Sequence, residues 1–117
     1  MLHDSSFWQE MTRLATNTEI VIDRPKGKPH PNHPDLIYPF DYGYVKNTKA
    51  SDGDGIDVWF GSANSKRLTG ILCVFDIVER DMEVKLLIGC NENDVQIIRN
   101  FANRMRTLYI PNPEAST

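Results

Sequence analysis

The first regular pattern along the chain is helical. Phe7, Met11 and Leu14 recur at i, i+4 and i+7, one face of a helix. Ser6 and Gln9 have the spacing of a capping box, so a short helix is expected with Ser6 as N-cap, ending near Ala15. The pattern then turns to strands. Glu19 to Asp23 is short and β-branched, and Tyr42 to Val45 and Ile56 to Phe60 are two further candidates. Leu68 to Val78 and Glu83 to Ile88 read as a hairpin around Glu79-Arg80-Asp81-Met82. Asn91 to Asp94 is a run of N-cap residues, and Val95, Ile98, Phe101 and Met105 follow as a second helical stripe. Pro111 and Pro113 stop any continuation, and Glu114 to Thr117 is expected as a frayed tail. Residues 25–39 hold five of the seven prolines and Gly27, so a long rigid loop without regular structure is expected there. Helix, several strands and helix predict an α+β, mainly β fold: a small, mainly antiparallel sheet or barrel with helical cover.

Composition narrows the function classes. A chain of 117 residues, 40% hydrophobic and 25% charged, is ordinary for one globular domain, and residues 1–117 are read as one. The formal charge is −3, with no basic run to suggest nucleic acid. No apolar stretch is long enough for a membrane span, and Met1-Leu2-His3-Asp4 lacks the features of a secretory signal. A cytoplasmic location is therefore expected, with Cys73 and Cys90 as reduced core thiols. His30 and His33 form a His-x-x-His, but they lie among prolines with no cysteine near, a poor zinc site.

The chemistry is concentrated in Asp52-Gly53-Asp54-Gly55-Ile56-Asp57, which opens a hydrophobic strand. Three carboxylates this close repel one another unless a cation sits between them, and oxygen-rich sites suit hard divalent ions such as magnesium. In extended chain Asp52 and Asp54 share a face and Asp57 falls on the other, unless Gly53 or Gly55 bends the backbone. An Asx-rich solvated turn accounts for the same residues equally well. An EF-hand does not: counted from Asp52, the fifth position is Ile56, the sixth Asp57 and the twelfth Ala63.

The surroundings add a resemblance. Tyr38-Pro39-Phe40-Asp41-Tyr42-Gly43-Tyr44 followed by Asp52-Gly53-Asp54-Gly55-Ile56-Asp57-Val58 resembles the double signature of the soluble family I inorganic pyrophosphatases. Val21-Ile22-Asp23-Arg24 looks like that family's Val-Asp-Arg strand, and Glu83-Val84-Lys85-Leu86 sits where the family has Asp-x-Lys-Leu. The likeness runs from about Ile20 to Arg106. It implies a small OB-like pyrophosphatase β-barrel with an N-terminal and a C-terminal helix. It implies magnesium-dependent hydrolysis of pyrophosphate to two phosphates, with two or more ions. By the same resemblance Asp52, Asp57 and Glu83 ligate metal and Glu79 is a further candidate, with Asp81 nearly as plausible. Asp54 is the general base. Arg24, Tyr38, Tyr42 and Lys85 contact phosphate, Tyr42 within the catalytic set, and Arg106 lies roughly where the family has a C-terminal Lys. Homo-oligomers are common in the family.

The chain departs from the pattern in places. A short helix stands where longer members have a charged β-hairpin, and Lys26 and Lys28 of the proline-rich loop are the candidates to replace its positive charge. Asp41 replaces Asn, Gly55 replaces Pro and Glu83 replaces Asp. The missing hairpin opens one side of the site, which motivates a second reading, a phosphohydrolase acting on a nucleotide. A non-catalytic metal- or phosphate-binding relative is the third, and retention of Asp54 argues against it.

Overall fold

The computed structural model of the chain describes residues 4–50 and 53–115. Helix α1 spans Ser5–Asn17. Its cap is Asp4 rather than Ser6: the Asp4 carboxylate accepts from the Phe7 N–H (3.3 Å) and the Ser6 hydroxyl (2.8 Å), so Ser6 lies inside the first turn. The buried stripe is also displaced. Trp8 and Ala15 are buried, Met11 and Leu14 pack beside them, and Phe7 lies outside with its ring edge-on to Trp8. The indole and Ala15 sit at i and i+7, as helical a period as the one from Phe7 to Leu14, and the larger ring gains more by burial.

Strands β1 (Ile20–Arg24), β4 (Tyr42–Val45), β5 (Asp57–Phe60), β6 (Leu68–Asp76), β7 (Asp81–Ile88) and β8 (Arg106–Pro111) form one sheet. Its order is β1-β4-β5-β7-β6-β8. All neighbours are antiparallel except β5 and β7, which run parallel with Trp59 opposite Leu87. The α+β, mainly β class is as expected. The expected mainly antiparallel sheet or barrel is met as an open sheet, antiparallel but for the β5–β7 pair; the barrel is not closed, since among the described residues no ladder joins β1 to β8, and both are edges.

Two segments hold structure the sequence reading left out. The proline-rich stretch contains a two-stranded hairpin, β2 (Pro29–His30) with β3 (His33–Ile37). It tolerates proline because so short a ladder asks few N–H groups to donate. Helix α2 spans Glu92–Phe101 and starts at the expected run of N-cap residues, where Asn91 and Asp94 form a capping box. It ends before Met105, which packs against the same core from the following loop, and the chain then returns along the β6 edge as β8.

Alternation along the strands gives the sheet two faces. On one, Val45, Val58, Leu68, Ile71, Leu86 and Ile88 pack under α1. On the other, Trp59, Leu72, Val74 and Leu87 pack with Val95 and Ile98 of α2 and with Tyr38 and Phe40. The functional residues share this second face. Among the described residues no helix is long and apolar enough to cross a membrane.

Candidate active site

Adjacent strands carry the polar end of the α2 face. The register places Arg24 opposite Tyr42, Tyr42 opposite Trp59 and Tyr44 opposite Asp57. On β7, Glu83 and Lys85 lie opposite Val74 and Leu72. A bulge between Ile22 and Arg24 moves Arg24 onto this face, where an unbroken ladder would have put Asp23 opposite Tyr42. Gly43 lets β1 and β4 close up: a Cβ there would lie 1.8 Å from the Val21 carbonyl oxygen. A side chain at that position in the Tyr-Gly-Tyr run would push Arg24 away from the tyrosines.

Lys85 is the hub. Its Nζ donates to the Tyr42 hydroxyl (2.7 Å), the Asp57 carboxylate (2.8 Å) and the Glu83 carboxylate (3.2 Å). Burial alone would lower its pKa; Tyr42 and Asp57 outweigh that, and the net shift is upward, so the ammonium stays charged. The Tyr42 phenol is pushed up, chiefly by burial, and stays neutral although Lys85 opposes the shift. Arg24 donates to the Tyr38 hydroxyl at 3.2 Å. Both tyrosine oxygens thus accept from a fixed cation, and the Tyr42 hydroxyl donates its own hydrogen to Asp57.

The acidic turn closes the site. Gly53 has φ of +89°, and the Ala50 N–H reaches the Asp54 carbonyl, so the backbone bends where the sequence required it. Asp54 and Asp57 then line one cavity of about 700 Å³ together with Asp23, Arg24, Tyr38, Tyr42, Glu83 and Lys85. Four carboxylates face two fixed cations there, a balance that repels an anion unless further positive charge is present.

That donor set fits a hard divalent cation. Asp57 and Glu83 already converge on one positive atom, the Lys85 ammonium, so both carboxylates lie within reach of a single cation. Among the described residues no three His, Cys, Asp or Glu side chains form a cluster able to hold a metal alone. Asp52, the remaining expected ligand, lies outside the described residues.

The family model for inorganic pyrophosphatase matches residues 8–103, most of the chain and all of this cavity. The chain belongs to the inorganic pyrophosphatase family. It is a hydrolase, an inorganic diphosphatase, and family I pyrophosphatases are metal-dependent. No curated protein matches the chain.

The residues expected for a pyrophosphatase site divide into two groups. Arg24, Tyr38, Tyr42, Asp54, Asp57, Glu83 and Lys85 line one cavity. Glu79, Lys28, Lys26 and Arg106 are not among its lining. Glu79 lies in the β6–β7 turn, where its N–H donates to Asp76 (3.0 Å). Lys28 is tied by its backbone to Pro25 and Tyr38, and Lys26 places its ammonium over the Phe40 ring. Arg106 lies opposite Phe75, on the α1 side of the sheet. The same cavity wall includes Asp23, His30 and Tyr44, which the sequence reading had not assigned to the site. Tyr44 was accessible to it, two residues beyond Tyr42 on one strand face. His30 was not: it depends on the β2–β3 hairpin, whose turn the His30 Nδ1 steadies by accepting from the Asn32 N–H (3.0 Å).

Proposed function

We propose that this pyrophosphatase hydrolyses inorganic pyrophosphate in a magnesium-dependent reaction at the cavity between β1, β4, β5 and β7. The observation that carries the proposal is the convergence of Arg24, Tyr38, Tyr42, Asp54, Asp57, Glu83 and Lys85 on that one space. Asp57 and Glu83, with Asp52, are the ligands for magnesium, and two or more ions restore the charge balance that four carboxylates upset. The bound metal supplies an activated water and neutralises charge on the phosphates.

The protein's own groups complete the reaction. Asp54 takes the proton from the attacking water. Arg24 and Lys85 hold phosphate oxygens by charge-assisted hydrogen bonds, and Arg24 offers a bidentate fork. Tyr38 donates its hydroxyl hydrogen to a phosphate oxygen, and Tyr42 does so when Asp57 turns to the metal. As the bridging oxygen leaves, Lys85 and Tyr42 meet charge with donors already in place, which favours the transition state over the ground state. The reading is of one domain over residues 1–117, acting in the cytoplasm and assembling as a homo-oligomer.

The test is orthophosphate release from pyrophosphate with and without magnesium, beside Asp54→Asn and Asp57→Asn. Magnesium-dependent turnover that falls by about 10²–10⁴ in Asp54→Asn supports the assignment. Turnover without magnesium, or untouched by both substitutions, overturns it.

A further inference from the structure

A second cavity of about 400 Å³ opens directly beside the phosphate cavity. The two share His30, Tyr38, Tyr42, Glu83 and Lys85 as a common wall. Their far sides differ in kind. The phosphate cavity ends in Asp54 and Asp57, whereas the adjoining one is walled by Leu36, Trp59, Leu72, Val74 and Phe101. Its aromatic rings are mutually packed: Phe101 lies 4.8 Å from Tyr38 and 5.6 Å from Trp59 between centroids.

Pyrophosphate has no apolar surface and gains nothing from such a wall. A substrate that fills both spaces carries an organic group on one of its two phosphates. The volume falls within the range of small-molecule sites, and the lining has their character: apolar walls with a few placed polar groups. Those polar groups decide between organic groups. Asp76, Asp81, Asn103 and Arg104 rim the cavity. A plain hydrocarbon would engage none of these rim groups, of which Asp81, Asn103 and Arg104 are exposed and Asp76 is half-buried. A nucleoside would: its ribose hydroxyls suit the carboxylates, its base edge suits Asn103, and its flat ring suits the aromatic wall.

We propose that this adjoining cavity takes the nucleoside of a nucleoside diphosphate, whose two phosphates occupy the polar cavity beside it. The inference rests on the phosphate-site assignment proposed above. The α-phosphate lies at the shared wall, against Tyr38, Tyr42 and Lys85, and the β-phosphate lies deeper, beside Asp54 and Asp57. Water adds to the β-phosphorus and its proton passes to Asp54. The bond between that phosphorus and the bridging oxygen breaks, and the oxygen leaves with the electron pair on the nucleoside monophosphate. One water and one nucleoside diphosphate give one nucleoside monophosphate and one orthophosphate.

The experiment compares orthophosphate release from pyrophosphate, ADP, GDP and dimethylallyl diphosphate under magnesium. It uses the intact chain, Ala102→Trp and Asn103→Ala. Ala102 follows the last turn of α2 and lines only the adjoining cavity, so an indole there fills it. The expected result is cleavage of ADP or GDP, lowered at least tenfold in kcat/KM by Ala102→Trp, with pyrophosphate cleavage within twofold. Should Ala102→Trp lose both activities by misfolding, Asn103→Ala decides: a selective loss on nucleotides upholds the inference, and unchanged nucleotide cleavage overturns it. Cleavage of pyrophosphate with none of ADP or GDP overturns it too and leaves the pyrophosphatase reading standing. Cleavage of nucleotides without pyrophosphate upholds the cavity's role and overturns that reading instead. Preference for dimethylallyl diphosphate overturns the nucleoside. A dimer that Ala102→Trp dissociates, with nucleotide cleavage unchanged, assigns the groove to a second copy and also overturns it.

Discussion

The two faces of the sheet are made by the same strands and could hardly differ more. On β5, Val58 is fully buried under α1, while its neighbours Asp57 and Trp59 face the cavities. On β7, Leu86 and Ile88 go to the α1 face, and Glu83 and Lys85 go to the other. The α1 face is apolar, closed where α1 covers it and open near Cys73, where Val84 and Leu108 are exposed. The α2 face begins as a core around Val95 and Ile98, continues through an aromatic wall and ends in charges. The contrast teaches a division of labour at single-residue resolution. One face supplies folding free energy, which lets the other gather four carboxylates and two cations that gain little by folding.

Neighbouring substitutions on β7 break this comparison most sharply. Lys85→Met removes the cation that Asp57 and Glu83 share. Pyrophosphate turnover should fall by about 10²–10³, the usual loss for one charge-stabilising donor. Leu86→Ala, one residue on, should leave turnover per folded molecule near normal and cost about 2–5 kcal/mol of stability. Urea denaturation and steady-state kinetics on the same two proteins measure both quantities. If Leu86→Ala lowers kcat as much as Lys85→Met does, the faces are not separable.

Gly43 tests where the faces depend on each other. A Cβ there meets the Val21 carbonyl, which is backbone and has nowhere to go. Gly43→Ala should cost about 1–3 kcal/mol as overpacking does. Because β1 carries Arg24, it should also raise KM for pyrophosphate, in contrast to Leu86→Ala. A variant with lowered stability and unchanged KM would show that Arg24 does not depend on this close approach.

What the sequence made legible follows the same division. Part of the cavity was readable because its chemistry is local: carboxylates around two glycines, and tyrosines one residue before and three residues after Pro39, whereas Arg24, Glu83 and Lys85 stand on distant strands and were legible only through the family resemblance. The start of α2 was readable because Asn91 and Asp94 satisfy its first N–H groups locally. Strand β8 was not, because Met105 continues the helical spacing of Val95, Ile98 and Phe101, and only pairing with β6 shows that the helix has already stopped. The parallel β5–β7 pair and the open sheet are decisions between distant strands, on which a period of two is silent. The aromatic cavity was least legible, since Leu36, Trp59, Val74 and Phe101 come from four separate elements.

A smaller effect is expected at Asp94, which fastens α2 to the sheet. Its carboxylate accepts from the Ser62 N–H (2.9 Å), the Ser62 hydroxyl (2.8 Å) and the Asn91 N–H (3.1 Å). Burial pushes its pKa up, but these donors prevail and hold it below the usual carboxylate range. A depressed folded pKa means stabilisation present above the unfolded value and lost as pH falls through the folded one. Asp94→Asn should therefore cost about 1–2 kcal/mol at pH 7, and the gap from the parent should narrow below about pH 4. Urea midpoints of the two proteins across that window measure it; a gap independent of pH would exclude a role for the charge.

The smallest effect separates the two cysteines, one in each layer. Cys90 is buried beside Val95, and its thiol is pushed up to about 12, first by burial and then by the Asp94 charge. Cys73 is half-buried on the opposite face, between Val84 and Leu108, where large apolar side chains are left exposed. A charged thiol reagent should therefore modify Cys73 in the native protein and reach Cys90 only in denaturant. A raised folded pKa gives stabilisation that is complete below the unfolded value near 9 and disappears as pH rises towards 12. Cys90→Ala should thus lose stability to alkali less steeply than the parent over that range. Equal labelling of both thiols in the native state would mean that the α2 core opens as readily as the outer sheet face. The dry layer beneath the aromatic wall would then give the charged end of that face no support.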